Sequence, residues 1–498
     1  MDAQQLQIHR GLRWLLLGSM AIGVLSDYLF YGKAFGISYP LFVFGLYALF
    51  FLQAKQQSQL TFSRDQLFAW LLTVPIVLLA LTFFLYDNTL FRLLNFLAVP
   101  FLFVAQTMLL TKRHRQSWYS LGFAGEMMET VLLYTLKYTM IPFAFLRHWL
   151  KSRVDRKKYG VAVRILAGIG ISLPILLVVL TLLTQADGVF GHLLAKIPSL
   201  LFDWDSAEAL YRLFRIGLVA LLIFGYFYAV IGPKPQEVAD KLLERSEEKR
   251  IAWDGVILVT ILTIINVVYV SFTIIQISYL FGGAQAVLPE DMTYAEYAKK
   301  GFQELVMVTI INFILLVSFM HLVSRAQPVI YKFVQAMLSL LTICTSFMLF
   351  SAYFRLSLYE EAYGYTQTRF LAHAFMIFLF VLFVIAFLKI WRNDFSLLKY
   401  CGIAGIAAYV VLNYIQIDAV IAQNNIQRYY ETGRIDVAYL MELSDDAIPL
   451  IATLREDKGI GDRIQHYLQE KRDNLQKERS WQSFTIARYV AKTHLQKE

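Results

Sequence analysis

Cysteine is scarce in this chain, and it lacks the motifs that mark many catalytic and metal sites. Only Cys344 and Cys401 occur in 498 residues, and both fall inside apolar runs. The sequence therefore offers no disulfide framework and no CxxC metal site. It also has no Walker loop and no HExxH, GxSxG or EF-hand motif. We expect no metal and no cofactor, and the absence of these motifs favours a non-enzymatic protein.

Charge is also sparse, at 17% of residues, whereas hydrophobic residues make up 58%. Runs of about 18 or more mainly apolar residues recur along the chain, which is typical of membrane-spanning helices. A net charge of +9 could suggest nucleic-acid binding, but Lys and Arg cluster between the apolar runs, as membrane orientation requires. We predict an all-α polytopic membrane protein in contact with the lipid bilayer, with no nucleic-acid partner.

The apolar runs predict about eleven transmembrane helices. A spanning helix needs about 20 mainly apolar residues, because the bilayer core holds no water to bond backbone amides. Eleven runs qualify, at 12–31, 35–53, 66–86, 89–111, 161–184, 210–231, 253–281, 302–323, 328–352, 370–388 and 397–416. A twelfth, 129–149, lies between basic clusters at 112–115 and 151–158, one of which would face outwards if it crossed. We predict that 129–149 lies in the interface or packs against the bundle without crossing.

The basic residues also predict an orientation. With eleven spans and the N-terminus inside, the inner connections hold 22 Lys and Arg and the short outer connections hold 6. This asymmetry follows the positive-inside rule, so we predict a cytoplasmic N-terminus and an extracytoplasmic C-terminus. The charge-laced stretch 234–250 predicts a solvated cytoplasmic helix. The predicted parts are four spans in 1–111, a basic cytoplasmic segment in 112–160, seven spans in 161–416 and an outer tail in 417–498.

The sequence of the tail predicts a small domain of short helices. Its caps and glycines predict helices at 418–431, after Asp436, after a Ser444 cap, at 461–476 and at 480–494. Ile448, Ile451 and Leu454 share one helix face, so this domain needs an apolar surface to pack on. We expect the outer end of the bundle to provide it.

The densest polar stretch in the apolar body is RLSLYEEAYGYTQTR at 355–369, which we interpret as an outer loop. Arg355, Glu360, Tyr363 and Arg369, with His373 on the same face as Arg369, could form an outward pocket. In such a pocket arginines bind a carboxylate or phosphate and tyrosines stack on a ligand. The same residues also fit an interfacial aromatic belt with paired charges. His373 fits either a satisfied polar contact or a proton relay.

Asp27, near the outer end of the first span, is the remaining candidate. An ionisable residue inside a span is costly and often functional, so Asp27 could be a catalytic acid or a cation ligand. It could equally be paired with Lys33 or with a neighbouring helix. Glu360 and Glu361 are adjacent, so on a helix they would diverge by about 100° and could not act as a carboxylate pair.

Three stretches resemble a known family. YEEAYGYTQTR at 359–369 and IDVAYLMELSDDAIP at 435–449 resemble a bacterial multi-pass membrane family catalogued as a domain of unknown function. DYLFY at 27–31, followed by GIS at 36–38, is similar to the N-terminal pattern of that family. The resemblance covers most of the chain. It implies a topology and a bacterial source, with no established activity or catalytic residues to transfer. We expect a location in the bacterial inner membrane.

Two classes of function fit these observations. The first is a non-enzymatic transport, accessory or sensory component whose outer surface binds a protein partner or a lipid-linked ligand. The second is a membrane-embedded glycosyl or lipid-linked transferase, because the predicted layout resembles that of the large polyprenyl-sugar transferases. Those enzymes carry acidic motifs in a long first outer loop, whereas the connection predicted here is only Gly32 to Ala34.

Overall fold

The structure, a computed structural model, describes residues 3–56, 66–144, 204–232, 254–281, 302–322, 328–392, 394–477 and 479–497, with five isolated positions between 168 and 183. This described part is helical and contains no β-strand, which confirms the predicted all-α class. The predicted charged helix at 234–250 lies outside the described residues, as does the predicted span at 161–184 apart from those five positions.

The first group of helices packs around one apolar core, in which Phe50, Phe83 and Phe227 are fully buried. The α5 helix begins at a capping residue, since the side chain of Asn88 accepts a hydrogen bond from the backbone N–H of Phe91 at 3.0 Å. The group comprises α1 (Ala3–Phe30), α2 (Ser38–Gln56), α3 (Leu67–Leu71), α4 (Thr73–Leu85), α5 (Thr89–Leu110), α6 (Leu121–Glu129), α7 (Thr135–Tyr138) and α8 (Trp204–Ile231).

The second group has its own core, with Leu316, Leu341 and Phe383 at its centre. Its helices are α9 (Gly255–Phe281), α10 (Phe302–Leu322), α11 (Pro328–Tyr363) and α12 (Gln367–Trp391). The helix α13 (Leu397–Tyr414) joins the two groups, because it packs on α12 and also on α4. Asn95 on α5 donates to Asn413 of α13 at 2.7 Å, and this buried hydrogen bond links α13 to the first group.

Nine helices in the described ranges are long and apolar enough to cross a membrane: α1, the joined α3–α4, α5, and α8 to α13. Nine of the eleven predicted spans therefore correspond to helices that could cross a membrane, and the polytopic prediction is confirmed. The run at 35–53 forms the helix α2, but its polar ends keep it out of the nine.

The ambiguous run at 129–149 is described as far as residue 144. A π-helical turn at Thr130–Tyr134 separates α6 from α7, so this stretch is not one regular helix. The carbonyl oxygen of Thr135 lies against Gly225 of α8, so closely that a Cβ there would clash. The described part is thus packed against α8. A crossing helix would also pack on its neighbours, so the absence of a crossing at 129–149 stays a prediction.

The expectation of a loop at 355–369 is wrong for most of its length. The α11 helix continues to Tyr363, and only residues 364–366 lie between it and α12. The stretch before Gly364 contains no Gly or Pro, and Leu356 and Glu360 are buried one turn apart, which favours helix. Gly364 then ends the helix at φ +87°. With 36 residues, α11 is about 54 Å long and extends well beyond a ~30 Å apolar core.

The tail forms a compact helical unit in which Ile448, Ile451 and Leu454 are fully buried. Their buried cluster consists of tail residues together with Phe91 of α5, so the tail itself supplies most of the apolar surface that we expected from the end of the bundle. Ser444 does not cap the following turn through its side chain; its hydroxyl instead donates to Asp446 at 3.1 Å. Its α-helices are α14 (Ile417–Thr432), α15 (Val437–Glu442), α16 (Ile448–Ile451), α17 (Gly461–Gln476) and α18 (Ile486–Lys497), with 3₁₀ turns at Asp445–Ala447, Ala452–Leu454 and Trp481–Ser483.

The tail sits on one end of the bundle. It contacts the connection between α1 and α2, where the N–H of Ile37 donates to the carbonyl of Phe484 at 3.0 Å. It also contacts the α4–α5 connection and the α11–α12 turn. The basic residues 112–115 follow α5 at the opposite end. We call these the tail end and the basic end of the bundle.

Candidate functional site

Glu360, Arg369 and His373 come together at the tail end, where α11 passes into α12. Oε2 of Glu360 lies 2.9 Å from Nε2 of His373, and both side chains are largely buried. The ring of Tyr353 meets the imidazole edge-on, with 4.3 Å between the ring centroids. This polar contact joins α11 to α12 next to the turn between them. Glu361 is exposed, so the predicted divergence of the two glutamates is confirmed.

Arg369 contacts the turn between α11 and α12 directly. Its guanidinium lies 4.4 Å from the ring centroid of Tyr359 and donates to the carbonyl oxygen of Gly364. Tyr359 in turn packs on Tyr363 at 4.8 Å between centroids. Arg369 thus holds the end of α11, where helical carbonyls lack partners within the helix. This differs from the outward pocket that the sequence suggested, in which the arginine would bind a carboxylate or phosphate of a ligand.

Arg355 does not join this group. Its Nη2 donates to Oε1 of Gln276 on α9 at 3.2 Å, and the hydroxyl of Ser351 donates to the same oxygen at 2.6 Å. Arg355 therefore links α11 to α9. Tyr363 lies on the surface with 55% of its area exposed, so it is the predicted residue that is best placed to meet a partner.

Residues of the tail clamp the α11–α12 turn. The side chain of Asn425 on α14 accepts from the N–H of Tyr365 and donates to its carbonyl, both at 2.8 Å. Arg428, one turn further along α14, donates to the carbonyls of Glu361 and Ala362 at 2.7 and 2.6 Å. The tail thereby completes the cap that the end of α11 needs.

This clamp has almost no signature in the sequence. Asn425 and Arg428 are three residues apart and therefore share a helix face, which is the only local signal of their joint role. Their partners are backbone groups 60 or more residues away, and residue type does not reveal such contacts.

Asp27 forms a second charged cluster with α8. Its Oδ2 accepts from Nε and Nη2 of Arg212 at 3.0 and 2.7 Å, and its Oδ1 accepts from Arg215. Both guanidinium groups also lie over the ring of Tyr31, at 4.8 and 4.6 Å. Asp27 is therefore paired with a neighbouring helix, which is one of the alternatives that the sequence left open. Lys33 instead donates to the carbonyl of Tyr28 at 2.7 Å.

A third polar cluster lies between the tail and the α4–α5 connection. Oδ2 of Asp446 accepts from the N–H of Asp87 at 2.9 Å, and Oδ2 of Asp418 accepts from the side chain of Asn88 at 2.9 Å. Asp87 is paired with Arg92 at 2.7 Å. Burial raises the pKa of Asp446 to about 6, and the nearby Asp87 and Asp418 add to this effect. Burial also raises the pKa of Asp87. The cavity beside these groups, about 20 Å³, has room for about one water molecule.

Within the described ranges, no group of three or more His, Cys, Asp or Glu is arranged to hold a metal ion. The three clusters at the tail end are instead built from ion pairs and from hydrogen bonds to backbone groups. Such an arrangement joins helices and holds turns, and it can transmit a displacement from the tail to the spans.

Comparison with protein families gives one match. A family model described as a domain of unknown function, DUF4153, covers residues 73–454. The chain belongs to this family. The DUF4153 match runs from α4 to Leu454 in the tail, so it includes both the α11–α12 turn and the Asn425 clamp. It does not include the later core residues of the tail, such as Ile464, Leu468 and Leu495. Asp27 lies before the matched range. No curated protein and no solved structure matched the chain.

Proposed function

We propose that this protein is a non-enzymatic accessory or sensory component of a bacterial inner membrane, in which the tail transmits the binding of a partner to the spans. The main support for this proposal is the clamp of Asn425 and Arg428 on the α11–α12 turn. A force on α14 acts directly on the ends of two spanning helices through these bonds.

The Glu360–His373 pair gives this turn a second connection to the spans. Any movement of the turn changes the separation between the ends of α11 and α12. Separating this buried polar pair would leave both side chains without their hydrogen-bonding partner, which is costly. The turn is therefore a small element that the tail and the spans both bias, as a coupling element must be.

The partner surface in this proposal is the exposed part of the turn and of α14. Tyr363 and Tyr430 are large, exposed aromatic residues there, and aromatic residues of this kind are enriched at protein interfaces. Charged groups of Glu361 and Glu431 are exposed beside them. We propose a protein partner, with a lipid-linked ligand as the other outcome of the test. The basic residues 112–115 favour the cytoplasmic side for the opposite end.

The alternative of a lipid-linked transferase has less support. Only residues 31–37 separate α1 from α2, which leaves no room for the long acidic loop of the polyprenyl-sugar transferases. Both carboxylate oxygens of Asp27 accept hydrogen bonds from arginines, so this residue is better suited to joining helices than to donating a proton.

Native mass spectrometry after purification in mild detergent tests the proposal. We expect a co-purifying protein with the wild type, lost in Tyr363→Ala and retained in Tyr400→Ala, which changes an exposed tyrosine at the basic end. Arg369→Ala should lose the same protein while accumulating normally. A bound polyprenyl-phosphate species that Arg369→Ala loses, without any protein partner, would overturn the accessory function in favour of a transferase.

A further inference from the structure

A patch of large apolar side chains is exposed on the last part of the tail. Trp481 and Tyr489 expose 50% and 58% of their area, and Phe484, Ile486 and Val490 are also exposed. The opposite face of α18 is buried in the tail, through Ala487, Ala491 and Leu495. The helix therefore has apolar residues on both faces, whereas a helix between a protein core and water presents a polar outer face. We call the five exposed residues the tail patch.

The position of the tail patch relative to the spans is fixed by two aromatic contacts. The ring of Trp481 lies 6.2 Å from that of Tyr28 on α1, and the ring of Phe484 lies 6.0 Å from that of Phe84 on α4. Tyr28 and Phe84 belong to the last turns of two membrane-spanning helices. The tail patch is therefore at the depth where a span leaves the apolar core, which is where Trp and Tyr side chains concentrate in membrane proteins.

The backbone holds the segment at that depth. Gly36, in the connection between α1 and α2, lies so close to the Phe484 carbonyl that an added Cβ would be 2.5 Å from its oxygen. The N–H of Ile37 donates to the same carbonyl at 3.0 Å. The tail patch is thus attached to the ends of the spans and not merely near them.

The exposed surface of α1 leads directly to the tail patch. Large apolar residues recur along one side of this helix and are all about half exposed, which is typical of a lipid-facing stripe. The stripe ends at Tyr28, which contacts Trp481. It consists of Trp14, Leu17, Met20, Val24 and Tyr28. The lipid-facing surface of the bundle and the tail patch are therefore continuous.

The charge of this segment suits lipid headgroups. Residues 479–497 include Arg479 and Lys492 and contain no Asp or Glu, although Glu478 and Glu498 flank them. Arg488 does not serve the headgroups, because it donates to the carbonyl of Asn474 and lies beside Asp445 and Asp87. An amphipathic segment with aromatic residues on one side and basic residues beside them is typical of helices that lie in the membrane interface. Basic groups at this depth lie at the level of the headgroup phosphates.

We propose that the tail patch is inserted into the lipid leaflet at the tail end of the bundle, and that residues 481–490 are an interfacial anchor of the tail. The occupant of this apolar surface is the bilayer around the bundle, with Trp481, Tyr489 and Val490 at the boundary between headgroups and acyl chains. The tail is then held by protein contacts at α11–α12 and by lipid on its other side.

Depth-dependent fluorescence quenching in lipid nanodiscs tests this anchor. The probe is an environment-sensitive fluorophore on Val490→Cys, in a protein whose native cysteines are replaced by Ala. The matched control is the same fluorophore on Lys458→Cys, at an exposed tail position. We expect lipids with a nitroxide high on the acyl chain to quench position 490 several-fold more than position 458, and aqueous iodide to show the opposite order. Equal quenching by iodide at the two positions would overturn the proposal.

A second variant does not depend on labelling. Tyr489→Asp with Val490→Asp places two carboxylates on the exposed face of α18. In nanodiscs we expect this variant to lower the Tm of the protein by several degrees, since charged groups are costly at the lipid boundary. An unchanged Tm would mean that the tail patch faces water, and it would contradict the anchor.

Discussion

His373 and Glu360 meet within hydrogen-bonding distance across α11 and α12, with 2.9 Å between Nε2 and Oε2. Truncating either partner leaves the other buried and unpaired. We expect Glu360→Ala and His373→Ala each to lower the free energy of unfolding by about 1–3 kcal/mol. The double variant should cost clearly less than the sum of the two, measured by a double-mutant cycle of unfolding in detergent micelles. Additive costs would mean that the two side chains do not interact.

The control for this cycle is the neighbouring glutamate. Glu361 is exposed and on the other side of the helix. We expect Glu361→Ala to change the free energy of unfolding by less than about 0.5 kcal/mol, as surface substitutions usually do.

Gly364 should tolerate substitution less well than Gly433. Both have a left-handed backbone conformation, with φ +87° and φ +70°, so alanine at either position costs about 1 kcal/mol in backbone strain. Only at Gly364 would the new Cβ also meet Oδ1 of Asn425, at 2.8 Å, because the space around Gly433 is open.

We therefore expect Gly364→Ala to lower stability by clearly more than Gly433→Ala does. It should also speed amide hydrogen exchange at Tyr365, whose N–H loses its bond to Asn425. Hydrogen-exchange mass spectrometry of the two variants measures this difference. Equal exchange at Tyr365 in both would remove the Asn425 clamp from the proposed function.

Sequence reasoning predicted the regular parts of this fold well, because long apolar runs and glycine ends are local signals. The helix α17 has the predicted bounds 461–476, and α14 ends at Gly433 as expected. The loop at 355–369 was wrong because polarity was read as irregular structure, whereas Leu356 and Glu360 have a helical spacing. A polar helix that projects from a membrane looks like a loop when only hydropathy is considered.

The candidate site was predicted in part. Glu360, Arg369 and His373 do come together, since residues close in sequence across one turn must be close in space. The partners of Asp27 could not be assigned, because Arg212 lies 185 residues away and nothing local distinguishes it from other arginines near a span end. The Asn425 clamp was missed for the same reason, as its partners are backbone groups.

Asp27 should contribute to stability through its charge. Asp27→Asn keeps the shape of the side chain but leaves Arg212 and Arg215 without a carboxylate. Because both guanidinium groups are partly exposed, we expect a modest loss, a Tm lowered by a few degrees in detergent. Asp473→Asn, which makes the same change at an exposed position, should leave the Tm unaltered. If activity were lost while the Tm stayed unchanged, a catalytic role for Asp27 would be favoured.

The orientation of the bundle can be tested with two cysteines at its opposite ends. Lys458→Cys lies in the tail, and Ser117→Cys lies beside the basic residues 112–115; both positions are exposed. If the basic end is cytoplasmic, a membrane-impermeant maleimide should label position 458 in intact cells and position 117 only after lysis. The reverse pattern would place the tail inside the cell.

Asp446 should make the stability of the tail depend on pH. Its pKa is raised from 3.8 to about 6 by burial and by the carboxylates of Asp87 and Asp418. The folded tail therefore binds this proton more tightly than the unfolded chain does. The resulting stabilisation is complete below pH 3.8 and is lost as the pH rises through about 6. Asp445 and the cations Arg92, Lys471 and Arg488 also lie in this cluster.

We expect Asp446→Asn to stabilise the tail by about 1–3 kcal/mol at neutral pH, because the amide can still accept from the N–H of Asp87 but carries no charge. Below pH 4 the variant should have no advantage over the wild type. The measurement is the Tm at several pH values from 4 to 8, with Asp462→Asn as the exposed control. Asp457 has the opposite effect on the pH dependence of stability, because backbone N–H donors lower its pKa. Its contribution to stability therefore decreases as the pH falls, in the wild type and in Asp446→Asn alike. Curves for Asp446→Asn and wild type that run parallel from pH 4 to 8 would show that Asp446 is not the group that titrates.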